Sequence, residues 1–332
     1  MNKVNLIKII AISTVVFTVL LSCKKNSEPT PLEPYSFEPS YLNEDFMVET
    51  ATIVSRVMAD GSTADCYKVV FQSNPVADGP YCPATINDIG GLGIYDGATN
   101  PGFQVMKAEL WNAMEADGYD VVDADGNINI IDPGAGGGGP PSGGSMQGCL
   151  EASPDNSLKL TYYIPIDPVM ASSNDDIGIV EKLGVSIDGI PLTGHPPSAT
   201  QGPPGIPNGG GGIPSIDPCG GHVDPAGYYH LHFGAEEMNN VLAANNITEV
   251  SCTNFIQDES ALIGFAKDGY PIYASKDSDG TAPTDLDECQ GHTCATDEFP
   301  VGVYHYHVSS TDAPNLPTCL KGLIPAEPFT FE

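Results

Sequence analysis

Val303-Tyr304-His305-Tyr306-His307-Val308 alternates imidazole with tyrosine, and Gly227-Tyr228-Tyr229-His230-Leu231-His232-Phe233 repeats the alternation. Together the two segments hold four of the seven histidines. In an extended strand successive side chains point to opposite faces, so the two histidines of each segment share a face, about 6.5–7 Å apart. Two imidazoles at that separation can converge on one metal ion. Each segment therefore predicts a β-strand that carries a pair of candidate ligands.

Both segments end a longer repeat. The first copy opens with Gly184-Val-Ser-Ile-Asp-Gly-Ile-Pro-Leu192, and the second opens with Gly264-Phe-Ala-Lys-Asp-Gly-Tyr-Pro-Ile272. In each copy Asp-Gly predicts a tight turn between two apolar stretches. Cys219-Gly-Gly-His222 follows in the first copy and Cys289-Gln-Gly-His292 in the second. Because the order of the motifs is the same, we predict two related halves packed about a pseudo-twofold axis.

The predicted fold is mainly β: a duplicated β-rich module, stapled by disulfides, with two short helices near 103–116 and 235–245. An α+β fold is the alternative. The sequence leaves open whether the N-terminal part forms a lobe of its own or completes the same sheet. The predicted organisation is a signal peptide at 1–22, a flexible tether at 23–45, an N-terminal β-rich lobe with one helix at 46–133, a Gly/Pro-rich linker at 134–157 and the duplicated domain at 158–332.

The motifs of the C-terminal half together resemble the YHYH-domain proteins, which are exported proteins of bacteria and some eukaryotes. The first copy departs from the family pattern, because Leu231 replaces the second tyrosine of the name motif. The resemblance implies a domain over about 158–322 and an exported location, and it implies no particular activity. It is carried by Tyr162-Tyr-Ile-Pro-Ile-Asp-Pro168, the two Gly-x-x-x-Asp-Gly-x-Pro stretches, Leu286-Asp-Glu-Cys-Gln-Gly-His292, Tyr304-His-Tyr-His307 and Cys319-Leu-Lys-Gly322.

Each copy supplies one turn histidine and one H-x-H pair, a ligand set that suits Zn²⁺ or copper. The sequence does not decide between two three-histidine sites and one shared centre. Asp224, Asp287 and Glu288 lie near the candidates in sequence and are expected to fix the imidazole tautomers. His195 has no counterpart in the second copy and is excluded. The predicted metal ligands are His222, His230, His232, His292, His305 and His307.

Three functions are compatible with this ligand set. The first is a cell-envelope lipoprotein that binds a transition metal. The second is a metal-dependent enzyme, a hydrolase or an oxidoreductase, that uses the same histidines; the sequence does not decide whether the protein is an enzyme. The third is a disulfide-stapled adhesion or interaction module whose histidines are packed apart in hydrogen bonds. The distances among the histidine nitrogens discriminate between them.

The N-terminus reads as a secretory signal, since Lys3 and Lys8 precede an apolar run over 9–21. Leu20-Leu-Ser-Cys23 resembles a bacterial lipobox. This resemblance implies cleavage before Cys23 and its lipidation, so the membrane is a partner through a lipid anchor. Lys24 stands where an inner-membrane retention aspartate would lie, which favours the outer membrane or the cell surface.

Eight cysteines remain beside Cys23, which in an oxidising compartment predicts up to four disulfides. Cys219 and Cys289 occupy matched positions, and each copy has a further cysteine after its H-x-H pair. Symmetry therefore predicts the pairs Cys219–Cys252 and Cys289–Cys319. Among the remaining cysteines, Cys66 and Cys82 are the closest in sequence.

The net charge is -31. Such a surface is a poor partner for nucleic acid and anionic lipid headgroups and a good one for cations. Asp123-Ala-Asp-Gly-Asn-Ile-Asn129 resembles the first half of a calcium loop, but Ile128 replaces the turn glycine, so an acidic turn is favoured over a Ca²⁺ site. Asp277-Ser-Asp-Gly280 is interpreted in the same way. The sequence indicates no particular small-molecule or protein partner.

Overall fold

A computed structural model describes residues 35–76, 79–134, 147–201 and 210–332. Within these ranges the chain is mainly β, and no helix is long and apolar enough to cross a membrane. The two α-helices are α1 (Ala108–Ala116) and α2 (Met238–Ala244). The strands are β1 (Thr52–Val57), β2 (Thr63–Gln72), β3 (Leu92–Tyr95), β4 (Gly102–Val105), β5 (Ile130–Ile131), β6 (Gly148–Leu150), β7 (Lys159–Pro165), β8 (Met170–Asp176), β9 (Lys182–Ser186), β10 (Pro191–Thr193), β11 (Gly212–Pro214), β12 (Gly221–Val223), β13 (Tyr229–Leu231), β14 (Leu262–Ala266), β15 (Pro271–Tyr273), β16 (Gly291–Cys294), β17 (Val303–His307), β18 (Cys319–Gly322) and β19 (Phe329–Phe331).

The repeat builds one eight-stranded sheet with the order β12-β13-β10-β9-β14-β15-β17-β16. The order reads as the same four strands outward from each side of the central β9–β14 pair. Val185 of β9 lies opposite Phe265 of β14, and the two residues occupy the same position in their copies. The pseudo-twofold therefore passes between them, and the predicted duplication is a single continuous sheet with one trio of candidate histidines towards each end.

The central pair depends on two glycines. A Cβ atom at Gly184 would lie 2.2 Å from the Phe265 carbonyl oxygen, and one at Gly264 would lie 2.1 Å from the Val185 carbonyl oxygen. The Asp-Gly turns then close each hairpin, with Gly189 and Gly269 at φ +84° and +91°, a region that glycine occupies without strain. The opening motif of each copy thus fixes both the central register and the first hairpin.

A four-stranded sheet, β1-β2-β7-β19, packs beside the duplicated sheet and joins the two ends of the described chain. The N-terminal strand β2 pairs with β7 along seven residue pairs, so the N-terminal strands share this sheet with β7, which lies just before the first copy of the repeat. The tether predicted at 23–45 is wrong for 35–45, because Phe37 and Leu42 are buried in the main core. Burial of those two side chains ties the segment to the duplicated sheet.

The predicted linker at 134–157 also contains ordered structure. Strand β6 pairs with both β5 and β11, and Cys149 is fully buried. A strand as short as β6 shows no alternation of apolar and polar residues, and the glycines around it made the segment look like a linker. The predicted signal peptide, Cys23 and the centres of the two glycine-rich runs lie outside the described residues.

Both predicted helices exist, with one change of boundary. The helix expected at 103–116 begins only at Ala108, because Gly102–Val105 is strand β4, paired with β3. Its apolar face is core, as expected: Leu110, Trp111 and Met114 are fully buried. The helix expected at 235–245 is a 3₁₀ turn followed by α2.

The two disulfides expected from symmetry are present, Cys219–Cys252 and Cys289–Cys319. The suggested pair Cys66–Cys82 is wrong, because Cys82 joins Cys149. Cys66 is a free thiol inside the sheet, and burial raises its pKa to about 11. Proximity in sequence was misleading here, because Cys66 points into the core from β2 while Cys82 pairs with a cysteine 67 residues away.

Candidate metal centres

Cross-strand register brings each trio of histidines together. His222 pairs with His230 across β12 and β13, and His292 pairs with His305 across β16 and β17. Directly opposed residues of antiparallel strands share a face, and the second histidine of each H-x-H pair lies on that same face. The six predicted histidines therefore form two separate clusters of three rather than one shared centre.

In the second cluster the three Nε2 atoms point at one another. His292 Nε2 lies 3.1 Å from His305 Nε2, His305 Nε2 lies 3.0 Å from His307 Nε2, and the third side of the triangle is 3.2 Å. All three rings are buried.

The outer nitrogens of these rings are all committed as donors. His305 Nδ1 donates to the Val303 carbonyl at 3.0 Å, and His307 Nδ1 donates to the Ala274 carbonyl at 2.6 Å. His292 Nδ1 lies 2.9 Å from a carboxylate oxygen of Asp285. Because a carbonyl or a carboxylate only accepts, each neutral ring carries its proton on Nδ1. Three Nε2 lone pairs therefore face one another.

A fourth acceptor completes this cluster. Asp277 Oδ1 lies 3.1 Å from His292 Nε2, 3.5 Å from His307 Nε2 and 3.9 Å from His305 Nε2. Four ligands around a tetrahedral Zn²⁺ with 2.0–2.1 Å bonds are separated by about 3.3–3.4 Å. The six distances among the three Nε2 atoms and Asp277 Oδ1 are 3.0 to 3.9 Å and bracket that value. The four atoms therefore form a distorted tetrahedron of the right size for one ion.

The first cluster has the same three-histidine core. His232 Nε2 lies 3.1 Å from His222 Nε2 and 3.0 Å from His230 Nε2. His232 Nδ1 makes a very short hydrogen bond to the Gly194 carbonyl, the counterpart of the His307–Ala274 bond. Among the described residues no carboxylate belongs to this cluster; three residues beyond Gly194 the chain has Pro197, where the second copy has Asp277.

The environment of the histidines favours their neutral form. Burial, together with the charge of Lys182, lowers the pKa of His222 to about 4, and burial also lowers the pKa values of His230, His232 and His305. Burial alone would raise the pKa of Asp277, but the electrostatic effect of the three neighbouring histidines outweighs it and holds the pKa below its ordinary value. A neutral imidazole and an ionised carboxylate are the forms that bind a metal.

An aspartate two residues before each cysteine holds the turn that presents His222 or His292. Asp217 Oδ1 accepts from the backbone N–H of Cys219 and of Gly221, and its Oδ2 accepts from Tyr229 at 2.6 Å. Asp287 repeats all three contacts with the N–H of Cys289, the N–H of Gly291 and the hydroxyl of Tyr304. The glycine before each histidine is required for this packing. A Cβ there would lie within about 2.3 Å of the tyrosine hydroxyl oxygen, at 2.3 Å for Gly221 and 2.1 Å for Gly291.

The expected tautomer-fixing residues are therefore not the observed ones. Asp287 stabilises the turn rather than a ring nitrogen, and Glu288 binds Lys321 and Asn174 at the surface. Asp285 and backbone carbonyls orient the rings instead. Backbone acceptors carry no side-chain signature, so the sequence could not reveal them.

Asp277 belongs to the predicted acidic turn, since the Gly280 N–H donates to its carbonyl. The sequence did not indicate that its carboxylate lies against the second trio. Asp279, two residues on, is part of the same turn and accepts from the backbone and hydroxyl of Thr281. The other suggested calcium segment is also a turn: Asp123 accepts from the backbone N–H of Asp125 and of Asn127. His195 is exposed and outside both clusters, as expected.

The two clusters differ in the space beside them. A cavity of about 270 Å³ is lined by His222 together with Glu151, Asn74 and Tyr229. The cavity beside the second cluster is about 30 Å³ and is lined by Asp277, His305 and His307. The first is large enough for a small molecule, while the second has room for about one water.

These features define a mainly β, disulfide-linked protein with two trihistidine clusters that could each hold a metal ion. The model of the family described as YHYH protein matches residues 161–284 and 277–322. The chain is thus a YHYH-domain protein, as its motifs indicated, and both clusters lie within the matched segment. No curated protein and no solved structure matches the chain.

Proposed function

We propose that this protein is a cell-envelope lipoprotein that binds two transition-metal ions, one in each trihistidine cluster. The observation that carries the proposal is the convergence of four acceptor atoms, three Nε2 lone pairs and Asp277 Oδ1, within 3.0–3.9 Å. Acceptors that meet without a donor repel one another, and desolvation makes the repulsion costly inside a protein. A shared cation removes that cost.

The competing explanation is a hydrogen-bond network with no metal. Such a network needs N–H donors on the inner side of the rings, whereas in the second cluster the Nδ1 protons point outward to carbonyls and Asp285. One extra proton, on His292, would satisfy only its contact with Asp277. The interaction module with histidines packed apart is disfavoured by the same distances.

Zinc fits the second cluster better than Cu²⁺. Asp277 Oδ1 stands off the plane of the three Nε2 atoms, because it is 3.1–3.9 Å from all three while they are 3.0–3.2 Å from one another. Zn²⁺ takes tetrahedral N and O ligands, while Cu²⁺ favours a square-planar or tetragonal arrangement. Bound there, zinc would supply a fixed positive charge that ties β15, β16 and β17 together.

The test is metal analysis of the purified protein after dialysis against trace Zn²⁺. We expect two ions per chain, falling to one in His230→Ala and one in His305→Ala. The exposed His195→Ala is the matched control and should keep both ions. Absence of bound metal in the wild-type protein, before and after reconstitution, would remove the proposal.

The envelope location rests on the lipobox at Leu20–Cys23 and the preceding apolar run. We expect the mature chain to begin at Cys23, and metabolic labelling with a radioactive fatty acid should mark the wild type but not Cys23→Ser. Fractionation of the membranes then assigns the anchored protein to the inner or outer membrane. Label retained in Cys23→Ser would refute the anchor.

A second candidate function, a metal-dependent enzyme, is favoured by one observation: the cavity of about 270 Å³ that His222 lines together with Glu151. A ligand set with an unfilled position beside a cavity and a carboxylate is what metal-assisted hydrolysis requires. An ester-hydrolysis assay with p-nitrophenyl acetate tests it. Metal-dependent turnover lost in His230→Ala and kept in His305→Ala would support an enzyme, and equal rates in all three proteins would oppose one.

A further inference from the structure

The two clusters have the same three-histidine core but different surroundings. Asp277 fills the fourth position of the second cluster, and the space beside it is about 30 Å³. The first cluster has no carboxylate among the described residues, and His222 lines a cavity of about 270 Å³. In the second cluster the protein would supply all four ligands of a four-coordinate ion. In the first cluster it would supply three, which leaves one position for a ligand from outside the protein.

The charges around the clusters differ in the same direction. Asp277 and Asp285 place two carboxylates against the second cluster. The charged side chain beside the first cluster is a cation, Lys182, which lies opposite Thr193 in the β9–β10 pair, next to the Gly194 carbonyl that binds His232. Its ammonium lies 5.2 Å from the centroid of the Tyr228 ring, which packs against His230. The equivalent position of the second copy is Leu262, so this cation belongs to the first site alone.

A divalent ion beside a partly buried ammonium leaves a site with an excess of positive charge. Low-dielectric surroundings make such an excess costly unless an anion enters. Asp224 interacts with Lys182 and with the Tyr228 hydroxyl, so it offsets part of this charge. The remainder favours an anionic fourth ligand, and the cavity limits that ligand to a small one.

We infer that the two sites have different roles, and this rests on the proposed metal binding: the second cluster is a closed structural site completed by Asp277, and the first is an open site whose metal takes a small anion from the cavity. Lys182 is a positioning residue for that anion. The second site, with its carboxylate, also binds metal more tightly than the first, where the ammonium opposes the incoming cation.

Titration of the metal-free protein with Co²⁺, followed by azide as the probe anion, tests the inference, because the visible spectrum of Co²⁺ reports its ligands. We expect two equivalents of Co²⁺ to bind in two steps, and azide to change the spectrum of the second equivalent only. The azide response should disappear in His230→Ala and persist in His305→Ala.

Lys182→Leu, which copies the second repeat, should weaken azide affinity by about tenfold and tighten the weaker Co²⁺ step. The exposed Lys159→Leu on the neighbouring strand β7 is the matched control and should change neither quantity. This comparison holds even if a histidine variant fails to fold, since Lys182 is not a ligand.

The outcomes separate the two proposals. If no Co²⁺ binds, the proposed metal function fails and the inference fails with it. If two equivalents bind but azide acts on neither, acts on both, or acts on the cluster that contains Asp277, the metal function stands and the division of roles is overturned. An azide affinity that Lys182→Leu leaves unchanged overturns the role of Lys182.

Discussion

Asp277 Oδ1 lies 3.1 Å from His292 Nε2, although the two residues are 15 positions apart. Asp277 lies in the turn after β15, and His292 lies in β16. Strand β15 pairs with β17, which holds His305 and His307, and Asp277 follows the end of β15 by four residues. The contact converts a set of three ligands into a set of four, and it gives the second cluster a charge that the first one lacks.

Loss of this carboxylate should weaken one site selectively. We expect Asp277→Asn to lower Zn²⁺ affinity at the second cluster by about 10–100-fold, because an amide oxygen carries no charge to offset that of the ion. Competition with a chromophoric chelator measures the effect. Asp279→Asn, two residues along in the exposed turn, is the control and should bind as the wild type does; an equal loss in both variants would place the effect in the loop rather than in the ligand.

Removal of metal should destabilise the fold as a whole. Each trio is assembled only when two strands pair. Binding to the native state alone therefore stabilises it by about 2.7 kcal/mol per site when the free metal is at 100 times its Kd. For a chain of this size we expect EDTA to lower the melting temperature by about 5–10 °C, measured by differential scanning calorimetry. Restoration by Zn²⁺ but not by Mg²⁺ should follow, since imidazole is a poor ligand for Mg²⁺; recovery with Mg²⁺ would argue against the histidine sites.

The matched disulfides should support the clusters from outside. Cys289–Cys319 closes a separation of 30 residues, and opening it costs about 3.6 kcal/mol of stability in the loop-entropy model. We expect Cys289→Ala/Cys319→Ala to shift the urea midpoint downward and to loosen the turn that carries His292. Peptide mapping without reduction should recover 219–252, 289–319 and 82–149 as linked peptides; a linked 66–82 peptide would contradict the structure.

Cys66 should behave as an inert core residue. It is completely buried in β2, and burial raises its pKa to about 11, so the thiolate is scarce at neutral pH. Iodoacetamide should therefore leave Cys66 unmodified in the native protein and alkylate it in urea. Mass spectrometry of the peptide that spans Cys66 gives the result, and rapid labelling of the folded chain would show that β2 opens.

The sequence predicted which histidines cluster together better than it predicted their environment. Six histidines, two disulfides and the pseudo-twofold followed from motifs that occur twice, because a repeat tests each position against its counterpart. Asp277 and Lys182 could not be found in this way, since Pro197 and Leu262 stand at the corresponding positions. The features that make the two sites unequal are those that the duplication does not share, and only the packing of neighbouring strands brings them to the histidines.

The prediction for residues 35–45 was wrong for a related reason. The proline and polar residues of this segment are typical of a tether, and two isolated apolar residues show no period. Phe37 nevertheless packs edge-on against Phe265 with 4.9 Å between the ring centroids, next to the pseudo-twofold. A single aromatic side chain that fills a gap in a distant sheet leaves no pattern in its own segment.

Glu236 should give the protein a stability that depends on pH. It lies just before α2, and its Oε2 is buried with no hydrogen-bond partner among the described residues. Burial raises its pKa to about 7, with Asp188 and Glu237 adding to the effect, while the unfolded chain keeps a value of about 4.3. Between these two values the folded state binds more protons than the unfolded state, so this contribution to stability is complete below about pH 4 and is lost as the pH rises to 7.

Glu236→Gln should therefore match the wild type near pH 4 and exceed its free energy of unfolding by about 1–3 kcal/mol at pH 8, measured by urea denaturation. The exposed Glu44→Gln controls for the loss of one negative charge from a chain of net charge -31; if it stabilises as much as Glu236→Gln at pH 8, general charge repulsion and not the burial of Glu236 is responsible.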